Sequence, residues 1–204
     1  MPTRNTRKIY SADHFYHVYS RGINKQAVFH NDQDRAFFIS LFKRYLSEKP
    51  TFSPYRVPYK WFGGRLELVC YCLMPNHVHL LVYQHDEKAM AEFLHSLMTS
   101  YSMYYNQKYK HFGPVFQSRY FASLIDQDSY LEHITRYIHL NSKDWRTYPY
   151  SSIGYYTGNK HSSWLKPDKV LQKFSSTNDY LTFVRDYEDH KQMLDELKLE
   201  LAHD

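Results

Sequence analysis

Two short stretches hold residue types suited to phosphoryl chemistry. The first is His77-Val78-His79. In a strand, positions i and i+2 point to one face. Both imidazoles would then leave a rigid element side by side and could bind one divalent metal, with Val78 buried behind them. The spacing alone is weak, because 13 His in 204 residues give roughly one such pair by chance. The plain alternative is two histidines hydrogen-bonded on a half-buried sheet. The second stretch is Tyr137-Ile138-His139-Leu140-Asn141. On a helix, Tyr137 and Asn141 lie one turn apart and share a face. A phenol with its ordinary pKa of about 10 is a weak nucleophile. Beside a metal-polarised phosphate it becomes competent, because the metal stabilises charge on the phosphoryl oxygens. The Asn141 amide oxygen can complete a metal shell with His77 and His79. Here too packing competes, since Tyr130, Ile134, Tyr137 and Asn141 form an ordinary helical stripe in a chain with 21 Tyr.

A third pattern sets Cys70 and Cys72 just ahead of the histidines. Cysteines this close cannot form an unstrained disulfide and read as reduced thiols. A four-ligand zinc site of Cys70, Cys72, His77 and His79 is the competing metal reading. Its one-residue gaps are shorter than those of structural zinc sites. Strand parity also matters: a two- or four-residue turn puts thiols and imidazoles on one face, and a three-residue turn separates them.

The elements that carry these groups follow from periodicity. His14 to Gly22 is rich in β-formers and reads as a strand. Asp32 is a plausible N-cap for a helix bearing Phe37, Phe38, Leu41, Phe42 and Tyr45, ending near Lys49-Pro50. Thr51 to Gly64, with Pro54, Pro58 and Gly63-Gly64, reads as a loop or insertion. Leu66 to Leu73 and His77 to Tyr83 form a hairpin of central strands around Met74-Pro75-Asn76. A helix from Glu87 to Tyr109, a strand from Phe121 to Ile125 and a helix from Asp126 to Ser142, capped by Asp126 or Asp128, follow. The first six elements of this β-α-β-β-α-β-α order match the ferredoxin-like split βαβ pattern. The expected class is α+β: an RRM-like antiparallel sheet with helices on one face, and a last helix able to cover the other. Residues 1–157 form the main domain, and 158–204 a C-terminal helical extension. Phe183, Tyr187, Leu194, Leu197 and Leu201 recur there at helical spacing in an acidic stretch. Docking on the body and pairing with a partner chain both remain open for that helix.

Charge separates the two parts. Residues 179–204 hold eight acids and three bases, leaving 23 bases against 13 acids in residues 1–178. A basic body attracts polyanions, of which nucleic acid is the commonest. Aromatics at 18% add stacking surfaces for bases. With 43% hydrophobic and 23% charged residues the chain is globular rather than disordered. No apolar run approaches the roughly 18 residues of a membrane span. The polar, basic N-terminus lacks the apolar core of a signal peptide, so the expected location is the cytoplasm.

Five pieces in order resemble the HUH single-tyrosine transposases (IS200-like), and among them most closely the REP-associated tyrosine transposases. They are Tyr16-His17-Val18-Tyr19-Ser20-Arg21-Gly22, Met74-Pro75-Asn76-His77-Val78-His79-Leu80-Leu81, Gly113-Pro114-Val115-Phe116-Gln117-Ser118-Arg119-Tyr120, Tyr137-Ile138-His139-Leu140-Asn141 and Tyr148-Pro149-Tyr150-Ser151-Ser152. The resemblance runs from about Tyr10 to Tyr156 and makes 1–157 an HUH nuclease domain. It implies a metal-dependent endonuclease and strand transferase acting on single-stranded or hairpin DNA through a 5′-phosphotyrosine. His77 and His79 fall on the family's metal histidines, Tyr137 on its nucleophile and Asn141 on the polar residue that joins the metal. Mg²⁺ or Mn²⁺ is the expected ion. Where the family often has Pro after this Asn, the chain has Ser142. DNA contacts are expected from Arg21, Lys25, Lys108, Lys110, Arg119 and Arg136, with Tyr120 as a stacking surface. The resemblance permits a monomer or a homodimer. Competing functions are a non-catalytic ferredoxin-like nucleic-acid-binding protein, a rolling-circle replication initiator and a metal-binding structural protein.

Overall fold

The structure, a computed structural model, describes residues 10–117, 119–126 and 128–187. Its elements are β1 (His14–Arg21), α1 (Asp32–Leu46), β2 (Leu66–Met74), β3 (His77–Gln84), α2 (Ala89–Tyr109), β4 (Phe121–Ile125), α3 (Asp128–His139), α4 (Ile153–Tyr156), α5 (Asp168–Leu171) and α6 (Thr177–Arg185). The strands form one antiparallel sheet in the order β2-β3-β1-β4. That is the ferredoxin-like order, with the two central strands β1 and β3 carrying the alternating His and Tyr residues.

Parity divides the molecule into two cores. Tyr16 and Val18 of β1, Val78, Leu80 and Val82 of β3, and Tyr71 and Leu73 of β2 pack against α1 and α2. Phe29, Phe38, Phe42 and Tyr101 fill that layer with edge-on ring contacts. Leu81, Cys70 and Cys72 pack on the opposite face, with Leu131, Ile134, Tyr137 and Ile138 of α3 and with Tyr156, Val170, Tyr180 and Val184 beyond it. So α3 does cover the second face. A bulge between Leu68 and Cys70 makes this possible. It inserts Val69 and flips the parity, so Leu66 and Leu68 face the first core while Cys70 and Cys72 face the second.

Boundaries differ from the sequence reading for local reasons. Asn31, not Asp32, caps α1. The Asn31 side chain accepts from the Asp34 amide at 3.1 Å, and the Asp34 carboxylate accepts from the Asn31 amide in return. α2 opens at Ala89, two residues later than expected, because the Asp86 carboxylate takes the Lys88 amide ahead of it. α3 closes at His139, and Asn141 follows in a turn. Of the C-terminal residues read as one helical stripe, Phe183 lies in α6 and Tyr187 just after it, while Leu194, Leu197 and Leu201 lie outside the described residues. Among the described residues, no helix is long and apolar enough to cross a membrane.

One ion pair ties α1 to α2. Asp34 is fully buried and receives the Lys108 ammonium at 2.7 Å, the Tyr109 hydroxyl at 2.7 Å, the Tyr104 hydroxyl at 3.0 Å and the His30 amide at 2.8 Å. Burial alone would raise the Asp34 pKa, but these donors outweigh it and hold the carboxyl below its usual range. The stability this adds is present above the unfolded-state pKa of about 4 and is lost as the pH falls through the depressed native value. Asp34→Asn should therefore lower stability at pH 7 by about 2 kcal/mol, and the gap to wild type should narrow steadily as the pH falls below about 4. A series of urea melts from pH 7 downward checks this, and a gap that does not narrow with acid would contradict it.

Candidate active site

The chain builds the site at the end of the sheet where β1 finishes and β3 begins. The hairpin turn has only two residues, Pro75 and Asn76, since Met74 pairs with His77. Its tip is clamped by the segment that follows β1: the Pro75 carbonyl accepts from Val28 and Phe29, and the Asn76 carbonyl from Gly22. Gly22 permits that closeness, because a Cβ there would sit 2.2 Å from the Gln26 carbonyl oxygen. The register sets Tyr19 opposite His79 and Arg21 opposite His77. His17, Tyr19, Arg21, His77 and His79 thus share the face covered by α3.

Tyr137 descends onto this face. Its ring meets His79 edge-on at 5.4 Å and His17 at 5.9 Å. It is 3% exposed, and burial pushes its pKa up to about 12, against smaller opposing pulls from the Asn141 side chain and Arg21. Asn141 folds back over the helix end, with its amide nitrogen donating to the Tyr137 carbonyl oxygen at 3.0 Å. That bond turns Oδ1 toward His77 Nε2, 3.5 Å away. The other His77 nitrogen, Nδ1, lies 2.7 Å from Asn76 Oδ1, and the Asn76 amide donates to the Lys25 carbonyl. His79 Nδ1 lies 3.0 Å from His17 Nε2. The structure therefore brings His77, His79, Tyr137 and Asn141 together within one chain.

The two-residue turn does put the cysteines on the imidazole face, with Cys72 opposite His79. They are nonetheless occupied elsewhere. Cys70 Sγ is 3.3 Å from both His139 Nε2 and Ser152 Oγ. Burial raises both thiol pKa values, favouring the neutral form. Among the described residues, no three His, Cys, Asp or Glu side chains group as metal ligands.

The expected DNA-contact residues divide. Arg21 sits beside His77 in register, and the exposed Lys25 follows in the turn that clamps the hairpin tip. Lys110, exposed, closes α2, and Arg119, also exposed, precedes β4. Tyr120 is hydrogen-bonded to Tyr10. Two members stand apart. The Lys108 ammonium is bound to Asp34 between α1 and α2. Arg136 is 6% exposed, donates to the Phe183 carbonyl and stacks on Phe183 and Tyr187, with its guanidinium carbon 3.5 Å from the Tyr187 ring centroid.

Sequence reasoning passed over His17 and Asn76 as site groups. The available signal was the alternation of His17, Tyr19 and Arg21 on β1, which matches the period of His77 and His79. It also passed over His139, which points away from Tyr137 on the same helix. His139 is fully buried, with Nδ1 2.6 Å from the Tyr180 hydroxyl and Nε2 2.8 Å from Ser152 Oγ.

With the geometry in hand, comparison with known proteins is specific. Residues 63–141 match the family model described as "Transposase IS200 like". That segment contains His77, His79, Tyr137 and Asn141, and the resemblance to the single-tyrosine transposases is borne out. A solved structure described as a REP-associated tyrosine transposase bound to a REP hairpin is similar to this chain with a TM-score of 0.51 and 14% identity. The match covers 74% of this chain and 82% of that one, and it shows the shared α+β HUH-type fold. No curated protein matches.

The His139 anchor makes a pH prediction. Burial pushes its pKa down to about 3, against about 6.5 unfolded. Between those values the unfolded chain binds a proton that the native state does not, so stability is lost as the pH falls below about 6.5. His17, lowered to about 4 by burial, adds the same sign. In urea titrations between pH 6.5 and 4, His139→Gln should lose up to one proton from the slope, about 1.4 kcal/mol per pH unit. Parallel curves for variant and wild type would refute the assignment.

Proposed function

We propose that this chain is a metal-dependent single-stranded DNA endonuclease and strand transferase that uses Tyr137 as its nucleophile. The observation that carries the reading is the orientation of Asn141. Its amide is pinned by the Tyr137 carbonyl, and His77 is pinned by Asn76, so with His77 neutral a carbonyl-type oxygen faces a lone-pair nitrogen at 3.5 Å. Two acceptors facing one another are a natural place for a cation. With its proton on Nδ1 toward His17, His79 presents Nε2 as its lone-pair nitrogen, the tautomer a ligating histidine takes. His17, kept neutral by burial, suits the acceptor role.

His77, His79 and Asn141 would hold the ion. Two imidazoles and an amide oxygen suit Mg²⁺ or Mn²⁺ with positions left for phosphate and water, and tolerate Zn²⁺. When bound, the ion supplies positive charge to the phosphoryl oxygens and favours loss of the phenol proton. Tyr137 Oη then attacks the phosphorus of a DNA phosphodiester. The Oη–P bond forms, the P–O3′ bond breaks, and the departing 3′ oxygen takes up a proton. The product is a 5′-phosphotyrosine with a free 3′-OH. Attack by a 3′-OH on that ester rejoins a strand and returns the phenol, with no nucleotide cofactor. The high Tyr137 pKa keeps the phenol protonated and inert without substrate. Arg21, Lys25, Lys110 and Arg119 grip the backbone, and Tyr120 offers a ring. Because Tyr137 meets His79 inside one chain, a second subunit is not needed to complete the site.

Labelled single-stranded hairpin DNA incubated with Mg²⁺ or Mn²⁺ should yield a covalent protein–DNA band on a denaturing gel. The band should vanish in Tyr137→Phe and on chelation, while circular dichroism shows the fold retained. A band that survives Tyr137→Phe would falsify the nucleophile. Four backbone contacts also predict that log affinity falls against log salt with a slope of about −3; a flat response would count against the basic surface as the DNA grip.

A further inference from the structure

A second phenol stands at the same site, its hydroxyl near the Arg21 guanidinium but in no hydrogen bond of good geometry. Tyr19 lies on the α3 face of β1, opposite His79 in register. Its ring centroid is 4.8 Å from that of His79, 5.8 Å from that of His77 and 6.3 Å from that of Phe121. The side chain is 7% exposed, and its hydroxyl oxygen is buried without a hydrogen-bond partner. Two residues on, Arg21 holds its guanidinium carbon 5.4 Å from the Tyr19 ring centroid, and its Nε is likewise buried and unpartnered. Both Tyr19 and Arg21 are near enough to Tyr137 for their charges to bear on its phenol.

Packing does not account for this hydroxyl. Phenylalanine would keep every ring contact, and a buried hydroxyl without a well-formed hydrogen bond is destabilising. A polar group retained at that cost, between a guanidinium and a pair of imidazoles, suits an anionic visitor. We infer that Tyr19 is a catalytic residue whose hydroxyl donates a hydrogen bond to a non-bridging oxygen of the scissile phosphate. The inference rests on the Tyr137 reading above and deepens it. Charge on those oxygens grows as phosphorus accepts the attacking phenol oxygen, so a fixed donor there strengthens in the transition state. Its loss should slow the reaction more than it weakens DNA binding. No proton leaves Tyr19 in this role; the hydroxyl donates and keeps its hydrogen.

The test compares wild type, Tyr19→Phe and Tyr137→Phe on labelled hairpin DNA with Mn²⁺, under single turnover at saturating DNA. Adduct formation in Tyr19→Phe should fall about 100-fold, with DNA affinity held within about twofold and a thermal midpoint equal to or above that of wild type. Replacing one non-bridging oxygen by sulfur should slow wild type for one diastereomer and slow Tyr19→Phe less. A merely structural tyrosine gives the reverse pattern: a lower midpoint with an unchanged rate. A Tyr137-dependent adduct formed equally fast by wild type and Tyr19→Phe overturns this inference alone. If wild type forms no Tyr137-dependent adduct, the proposed function falls and this inference falls with it.

Discussion

The docking of α3 across β2 and β3, with Tyr137 reaching His17 of β1, governs the site in this molecule. Strand alternation places His17, Tyr19, Arg21, His77 and His79 on one face, but alternation alone leaves a row of rings and a guanidinium open to solvent. α3 converts that row into a site by lowering Tyr137 against His79 and His17 and by bringing Asn141 to His77. A helix set down one turn out of register would move Tyr137 about 5 Å along its axis and separate the phenol from the imidazoles.

That docking is held from behind. His139 stands two residues from Tyr137 and is bonded to Tyr180 and Ser152 in a fully buried network that also reaches Cys70. Arg136, one residue from Tyr137, is clasped by the Phe183 carbonyl and the Phe183 and Tyr187 rings. Residues after α4 thus brace α3, the helix that carries Tyr137. In a buried network every donor and acceptor must be met, so each partner constrains the others' positions. The thiols look like metal chemistry in the sequence and serve here, with His139, as anchors.

Much of the site was legible before any coordinates. The period of two in His77-Val78-His79 and the one-turn spacing of Tyr137 and Asn141 each specify a face, and faces survive shifts in element boundaries. The β-α-β-β-α-β order specified the sheet. What escaped depends on contacts between distant residues. Nothing local to Lys108 says that Asp34 waits for it, and nothing around Arg136 announces the rings of Phe183 and Tyr187, so both read as DNA-contact cations. The Leu68–Cys70 bulge, which decides which way the cysteines face, has no marker in a continuous apolar run. The cap at Asn31 instead of Asp32 turns on which neighbouring side chain reaches the Asp34 amide. His17 was visible as a motif member, yet its role comes only from the 3.0 Å contact with His79 across the sheet.

If Tyr137 works beside an ion held by His77, His79 and Asn141, phenol and ion meet within one subunit. Fluorotyrosine incorporated at position 137 and observed by ¹⁹F NMR during titration with Mn²⁺ tests it directly, because a paramagnetic ion broadens only nearby resonances. Severe broadening of the Tyr137 signal is expected at stoichiometric Mn²⁺, abolished by His77→Ala, while a second sample labelled instead at Tyr59, in the loop before β2, stays sharp. A Tyr137 signal no broader than that of Tyr59 would contradict it.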